Sequence, residues 1–171
     1  MRIADYYFGQ RIVLKSPHSV SEVTERINRA TPYWFSIFSN GVKGGIWFTR
    51  LRLSHTRDWK FDYNAKPVLA GRVVSTFYGT ELKACYRGPT FARLFFIFWY
   101  VVLTFVAGVL LIDWLDNALE PGGWLGLPVL VALLIFPVFL HKLGTRRSDE
   151  DLKAILAFLD DAAQFTVERQ L

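Results

Sequence analysis

Residues 94–112 read LFFIFWYVVLTFVAGVLLI, nineteen positions without a charge. A helix rises about 1.5 Å per residue, so this run nearly covers the ~30 Å hydrocarbon layer of a bilayer and reads as a transmembrane helix. A second uncharged run follows at residues 122–140, GGWLGLPVLVALLIFPVFL, with Pro128 near its start and Pro137 near its end. Membrane helices tolerate proline where neighbouring groups satisfy the freed carbonyl, so a kink or an early end near Phe136 is expected, not a failure to span. Together the two runs predict a transmembrane hairpin. The rival, a pair of buried helices in a soluble core, fails on size, because a chain of 171 residues leaves too little material to cover two apolar rods on every side.

Charge fixes the expected orientation. Residues 1–93 carry fifteen Lys/Arg against six Asp/Glu, the segment after the first run holds Asp113, Asp116 and Glu120 with no base, and residues 141–171 are nearly balanced. Arg87 and Arg93 precede the hairpin, and Lys142, Arg146 and Arg147 follow it. Basic flanks stay on the cytoplasmic side, so both termini are expected there, with the short acidic loop 113–121 outside. Trp114 and Trp124 bracket that loop as interfacial anchors. The first twenty residues contain no apolar core of a cleavable signal, so the first run is expected to direct insertion itself. The five flanking bases are expected to meet anionic lipid headgroups, where each Lys or Arg gains about 1 kcal/mol. Two spans bury little helix surface alone, which makes a homo-oligomer through the hairpin an expected partner.

The rest of the chain reads as one α+β domain. Residues 11–15 (RIVLK) alternate as a short strand. A helix should follow, with Pro17 in its first turn, Ser19 or Ser21 as cap, and Val20, Val23, Ile27 and Ala30 at helical spacing up to Thr31-Pro32. The period then changes to two. Asn40-Gly41 and Gly44-Gly45 supply turn residues, residues 46–54 alternate as one strand, and further strands are expected at 59–63, 68–78 and 80–87, the last two joined around Tyr78-Gly79. Trp59, Phe61, Tyr63, Leu82, Ala84 and Tyr86 are expected on a buried face. Arg50, Arg52, Lys60, Arg72, Lys83 and Arg87 are expected on the other face or its edges. After the hairpin, Ser148 with Asp151 three residues on reads as a helix cap, and Leu152, Ile155, Leu156, Leu159 and Ala163 form an apolar stripe. That stripe needs a partner, and the inner face of the sheet is the nearest one. The expected organisation is therefore a discontinuous cytoplasmic domain, 1–93 plus 145–171, interrupted by spans 94–112 and 122–140 and the loop 113–121.

The glycine turn, the aromatic strand, Pro67, Gly71, Gly79-Thr80 and the basic-aromatic run into the first span resemble a pattern of small uncharacterised bacterial two-span membrane proteins. The resemblance covers about a third of the chain. It implies a bacterial inner-membrane location and no particular activity. The order strand, helix, antiparallel strands and closing amphipathic helix also looks like a reduced helix-grip (START-like) domain, which implies an apolar ligand held between sheet and last helix. A PH-like sheet closed by a helix is similarly compatible.

Enzyme signatures are absent: no G-x-S-x-G, P-loop, G-x-G-x-x-G, H-E-x-x-H or cysteine pair occurs. Cys85 is the one cysteine, which excludes an internal disulfide and any Cys-rich metal site. His55 with Asp58 and Asp62 is the one His/acid neighbourhood, at spacings that match no metal-ligand pattern. No catalytic residue, metal ligand or cofactor is expected. The reading is a non-enzymatic, membrane-anchored interaction or sensory module whose basic domain contacts anionic headgroups or a protein partner, with Arg50, Arg52, Arg72 and Lys83 as its basic sheet face. A lipid or apolar small-molecule binding domain is the alternative. Phe48 and Trp59 interleave with bases as in nucleic-acid binders, but a tethered sheet of moderate charge argues against that partner.

Overall fold

The computed structural model describes residues 3–31, 40–56, 66–116, 128, 131–132, 135, 138–139, 142 and 145–170. Its strands are β1 (Gln10–Ser16), β2 (Gly41–Trp47), β3 (Arg50–Thr56), β4 (Val68–Thr76), β5 (Gly79–Arg87) and β6 (Thr166–Gln170). Its helices are α1 (Ile3–Phe8), α2 (Val20–Ala30), α3 (Thr90–Asp116) and α4 (Ser148–Ala163). The strands pair antiparallel in the order β2-β3-β4-β5-β1-β6. The chain divides into two compact units, Met1–Pro89 with Thr145–Leu171, and Thr90–Gly144.

In the first unit the α+β class follows the pattern of the sequence. Ile12, Leu14, Leu51, Leu53, Leu69, Val73, Leu82, Ala84 and Tyr86 point to one side of the sheet and form a single buried cluster with Val23 and Ile27 of α2 and Leu152, Ile155, Leu159 and Ala163 of α4. The stripe of α4 thus meets the inner face directly. Helix α2 starts with a capping box: the Ser19 hydroxyl accepts from the Glu22 backbone and the Glu22 carboxylate accepts from the Ser19 backbone. The Ser19 N–H and the Ser19 hydroxyl, both donating to the Glu22 carboxylate, hold that carboxyl below its ordinary range. Asn28 on α2 protects the sheet edge. Its amide donates to the Ile46 carbonyl at 2.9 Å and accepts from the Ile46 N–H at 2.8 Å, occupying the backbone groups that a foreign strand would use.

Several expectations are corrected. Residues 46–54 are not one strand but a hairpin, because β2 ends at Trp47, Phe48-Thr49 make the turn, and β3 begins at Arg50. Gly44-Gly45 lie inside β2, where they permit close approach: a Cβ on Gly44 would collide with the Arg52 carbonyl, and one on Gly45 would lie 2.7 Å from the Asn28 amide oxygen. Pro17 precedes the Ser19 cap instead of sitting in the first turn. Ser148 is the first residue of α4, not its cap. It is buried, its hydroxyl donates to the Thr145 carbonyl, and its own carbonyl accepts from the Tyr86 hydroxyl at 2.9 Å. Burial pushes the Tyr86 phenol up, and nearby Asp151 and Asp149 add to the shift. The strand expected at 59–63, with Lys60, Asp58 and Asp62, lies outside the described residues.

In the second unit, α3 is twenty-seven residues, about 40 Å long. Its most apolar window has a mean hydropathy of 2.6 and is 6% buried, which makes it the one helix among the described residues long and apolar enough to cross a membrane. Phe91, Phe95 and Trp99 stack at four-residue spacing along it. The described residues from 128 to 142 are helical and exposed, while most of the second apolar run lies outside the described residues.

His55 on β3 and Asp151 on α4 form a largely buried pair, Nδ1 to Oδ1 at 2.9 Å, with side-chain exposures of 14% and 8%. It fastens the closing helix to the sheet. Removing one partner leaves the other poorly solvated, so Asp151→Ala is expected to cost about 3 kcal/mol. Glu25→Ala, which breaks the exposed Arg29–Glu25 pair, should cost under about 0.5 kcal/mol. Thermal unfolding in detergent measures both, and equal losses would refute a fastening role for the buried pair.

Candidate functional site on the outer face of the sheet

The alternation that buries one side of each strand sends the other side outward, and that outward side is basic. The six strands carry nine Lys/Arg and two Asp/Glu. Both acids are engaged: Glu81 with Lys83 at 3.2 Å, and Glu168 with Lys15 at 2.6 Å. The Glu168 bond raises the Lys15 pKa.

Register brings Lys83 together with two further bases. Arg50 lies opposite Arg72, and Arg72 lies opposite Lys83. Directly paired residues share a face with Cβ atoms about 5 Å apart, so three cations stand in one row across β3, β4 and β5. Trp47, opposite Arg50, extends that row onto β2. The next outward row runs Arg52, Ala70, Cys85, Arg11. Arg50, Arg52, Arg72 and Lys83 are all exposed. Among the described residues no acid lies within ion-pair distance of Arg50, Arg52 or Arg72.

The four residues expected to form a basic sheet face are therefore adjacent. Arg11 and Lys43 join them on the outward side, and the sequence signal for Arg11 was the alternation in RIVLK, which puts it opposite in phase to Ile12 and Leu14. Of the five bases expected near headgroups, Arg87 ends β5, and Arg146 and Arg147 are exposed in the turn before α4, all in the first unit. Arg93 lies in the first turn of α3 and Lys142 is helical and exposed, both in the second unit. Trp114 lies near the end of α3, half-buried, and Trp124 lies outside the described residues. The His55–Asp151 pair was not legible, because it joins residues 96 positions apart.

Like charges directly opposite one another on a sheet oppose folding. Three in a row without acids between Arg50 and Arg72 leave a field that an anion relieves. Comparison with family models, curated proteins and solved structures finds no match. The chemistry of this face is thus the guide to its use, and what it offers is multivalent attraction for anions on an open surface. Among the described residues no group of three or more His, Cys, Asp or Glu is placed to hold a metal ion.

Relief of the repulsion is measurable. Arg72→Thr keeps a strand-forming residue, removes the middle charge, and is expected to stabilise the fold by about 0.5 kcal/mol at low salt. The gain should vanish in ~1 M salt, where screening reaches within about 3 Å. Destabilisation at low salt, read by thermal unfolding, would show that the row is not under electrostatic strain.

Proposed function

We propose that the protein is a membrane-anchored, non-enzymatic module whose basic sheet face contacts anionic lipid headgroups. The observation that carries this reading is the Arg50–Arg72–Lys83 row, in which only Lys83 has an acidic partner among the described residues, set on a domain whose own chain contains a helix of membrane-spanning length. Each base within reach of an anionic surface adds about 1 kcal/mol of attraction. A protein partner with an acidic face is the competing occupant.

Topology supports anchoring by a hairpin. Strand β1 pairs with β5, which precedes α3, and with β6, which follows it. Parts of one sheet fold on one side of a bilayer. A chain that crosses once in α3 must cross back before residue 145, and the uncharged run 122–140 is the segment long enough to do so. The basic flanks would then put both termini in the cytoplasm. The resemblance to bacterial two-span proteins adds the inner membrane as the proposed location, and the exposed apolar surface of α3 leaves room for association of copies through the hairpin. The ligand-cavity alternative gains nothing from the packing of α4, whose stripe is buried against the sheet residues that would line such a cavity.

Two measurements test the proposal. Protease-accessible tags at the two ends should report the same side of the membrane; opposite sides would refute the hairpin. Cys85 lies on the basic face and is half-exposed, so a neutral maleimide reports whether that face is covered. In the full chain reconstituted into nanodiscs, modification should be several-fold slower with anionic than with zwitterionic lipid, and Arg50→Glu with Arg72→Glu should abolish the difference. Equal rates in the two lipids would remove headgroup contact from the function.

A further inference from the structure

The β2–β3 and β4–β5 hairpins turn at the same end of the sheet. The β2–β3 turn is Phe48-Thr49, and the β4–β5 turn is Phe77-Tyr78. Because Arg50 pairs with Arg72 while β4 runs on to Thr76, the second turn projects about 13 Å beyond that pair. Phe48 is 97% exposed, Phe77 95%, Tyr78 88% and Trp47 56%. Four large aromatic side chains thus cluster in pairs at one end of the sheet, opposite the end at which Gly88-Pro89 leads out of β5.

Phe48, Phe77 and Tyr78 bury almost none of their surface in the fold. Phe77 and Tyr78 contact each other edge to face and are otherwise in solvent. Phe48 has φ of +56°, the left-handed conformation that two-residue hairpins ordinarily give to Gly or Asn, and a bulky residue is strained there. An exposed aromatic ring in a strained turn costs local stability, and such outliers cluster at functional sites. Behind the Phe77-Tyr78 tip comes the outward row Val74, Glu81, Lys15 and then Arg50, Arg72 and Lys83, the row that begins with Trp47 directly behind Phe48. Convex apolar tips with a cationic collar complement an anionic bilayer: amphipathic rings settle at the headgroup level while Lys and Arg meet the lipid phosphates and carboxylates. Nucleic acid stacks bases on a flat platform or in a groove, which protruding turns do not offer.

We infer that the two hairpin tips, Trp47-Phe48 and Phe77-Tyr78, insert into the interfacial region of an anionic membrane. This rests on the headgroup reading above and makes it specific, because it names the part of the domain that enters lipid. The sheet then meets the membrane through a basic face that ends in an aromatic wedge.

A nitroxide placed by Tyr78→Cys in a Cys85→Ser background, in the full chain in nanodiscs rich in anionic lipid, tests the inference by its accessibility to oxygen and to a water-soluble nickel chelate. Immersion is expected, shown as oxygen accessibility exceeding nickel accessibility, whereas a label at Ser21→Cys on α2 should remain aqueous. Phe48→Gly relieves the strained turn, so it should raise thermal stability while reducing immersion of the label at position 78. An aqueous label at position 78 overturns the inference. Strong label–label dipolar broadening would place a second copy of the chain on the tips and overturn it equally. If the label is aqueous while lipid-dependent protection of Cys85 persists in the natural sequence, tip insertion alone is lost; if protection is also absent, the headgroup reading falls with it.

Discussion

Strand β1 lies between β5, the strand before the long apolar helix, and β6, the last of the described strands, so the sheet is completed only after the chain has left the domain and returned. Buried Ser16 at the end of β1 marks the junction, donating its hydroxyl to the carbonyl of Ala163 at the end of α4. Burial of the α4 stripe on the inner face supplies the apolar driving force for that return. Two halves of one sheet occupy one compartment, so a chain that crossed a membrane in α3 would have to return before residue 145.

The two faces of the sheet divide the work. The inner face is apolar and covered by α2 and α4. The outer face carries cations that weaken the fold by mutual repulsion and at its end exposes rings that burial would have stabilised. Local choices that disagree with stability, while their neighbours agree with it, mark the places where a second requirement acts. On the reading proposed here that requirement is an anionic surface, which relieves the repulsion and buries the rings together.

Long elements with strong periodicity were legible. The nineteen uncharged residues of the first run, the Ser19 cap with Val23 and Ile27, the α4 stripe and the phases of β1, β4 and β5 all appear as expected, because each signal spans several residues and needs no partner to be recognised. Helix α1 and strand β6 escaped notice, because six residues make under two helical turns and TVERQ holds a single apolar residue, so neither shows a period. The hairpin within residues 46–54 was hidden because Phe48-Thr49 is not turn chemistry, and the glycines that looked like a turn serve close packing in β2.

The class of the domain, the phases of β1, β4 and β5 and a helix long enough to cross a bilayer were readable residue by residue, since alternation, amphipathic spacing and an unbroken apolar run are local properties; the side on which Trp47 stands was not, because the turn at Phe48-Thr49 places it beside Arg50. Which bases stand side by side, that Asp151 meets His55, and that two aromatic turns share one end of the sheet emerged with the fold. Those facts depend on strand register and on the return of α4 and β6, which couple residues scores of positions apart, and no local pattern encodes such a distance.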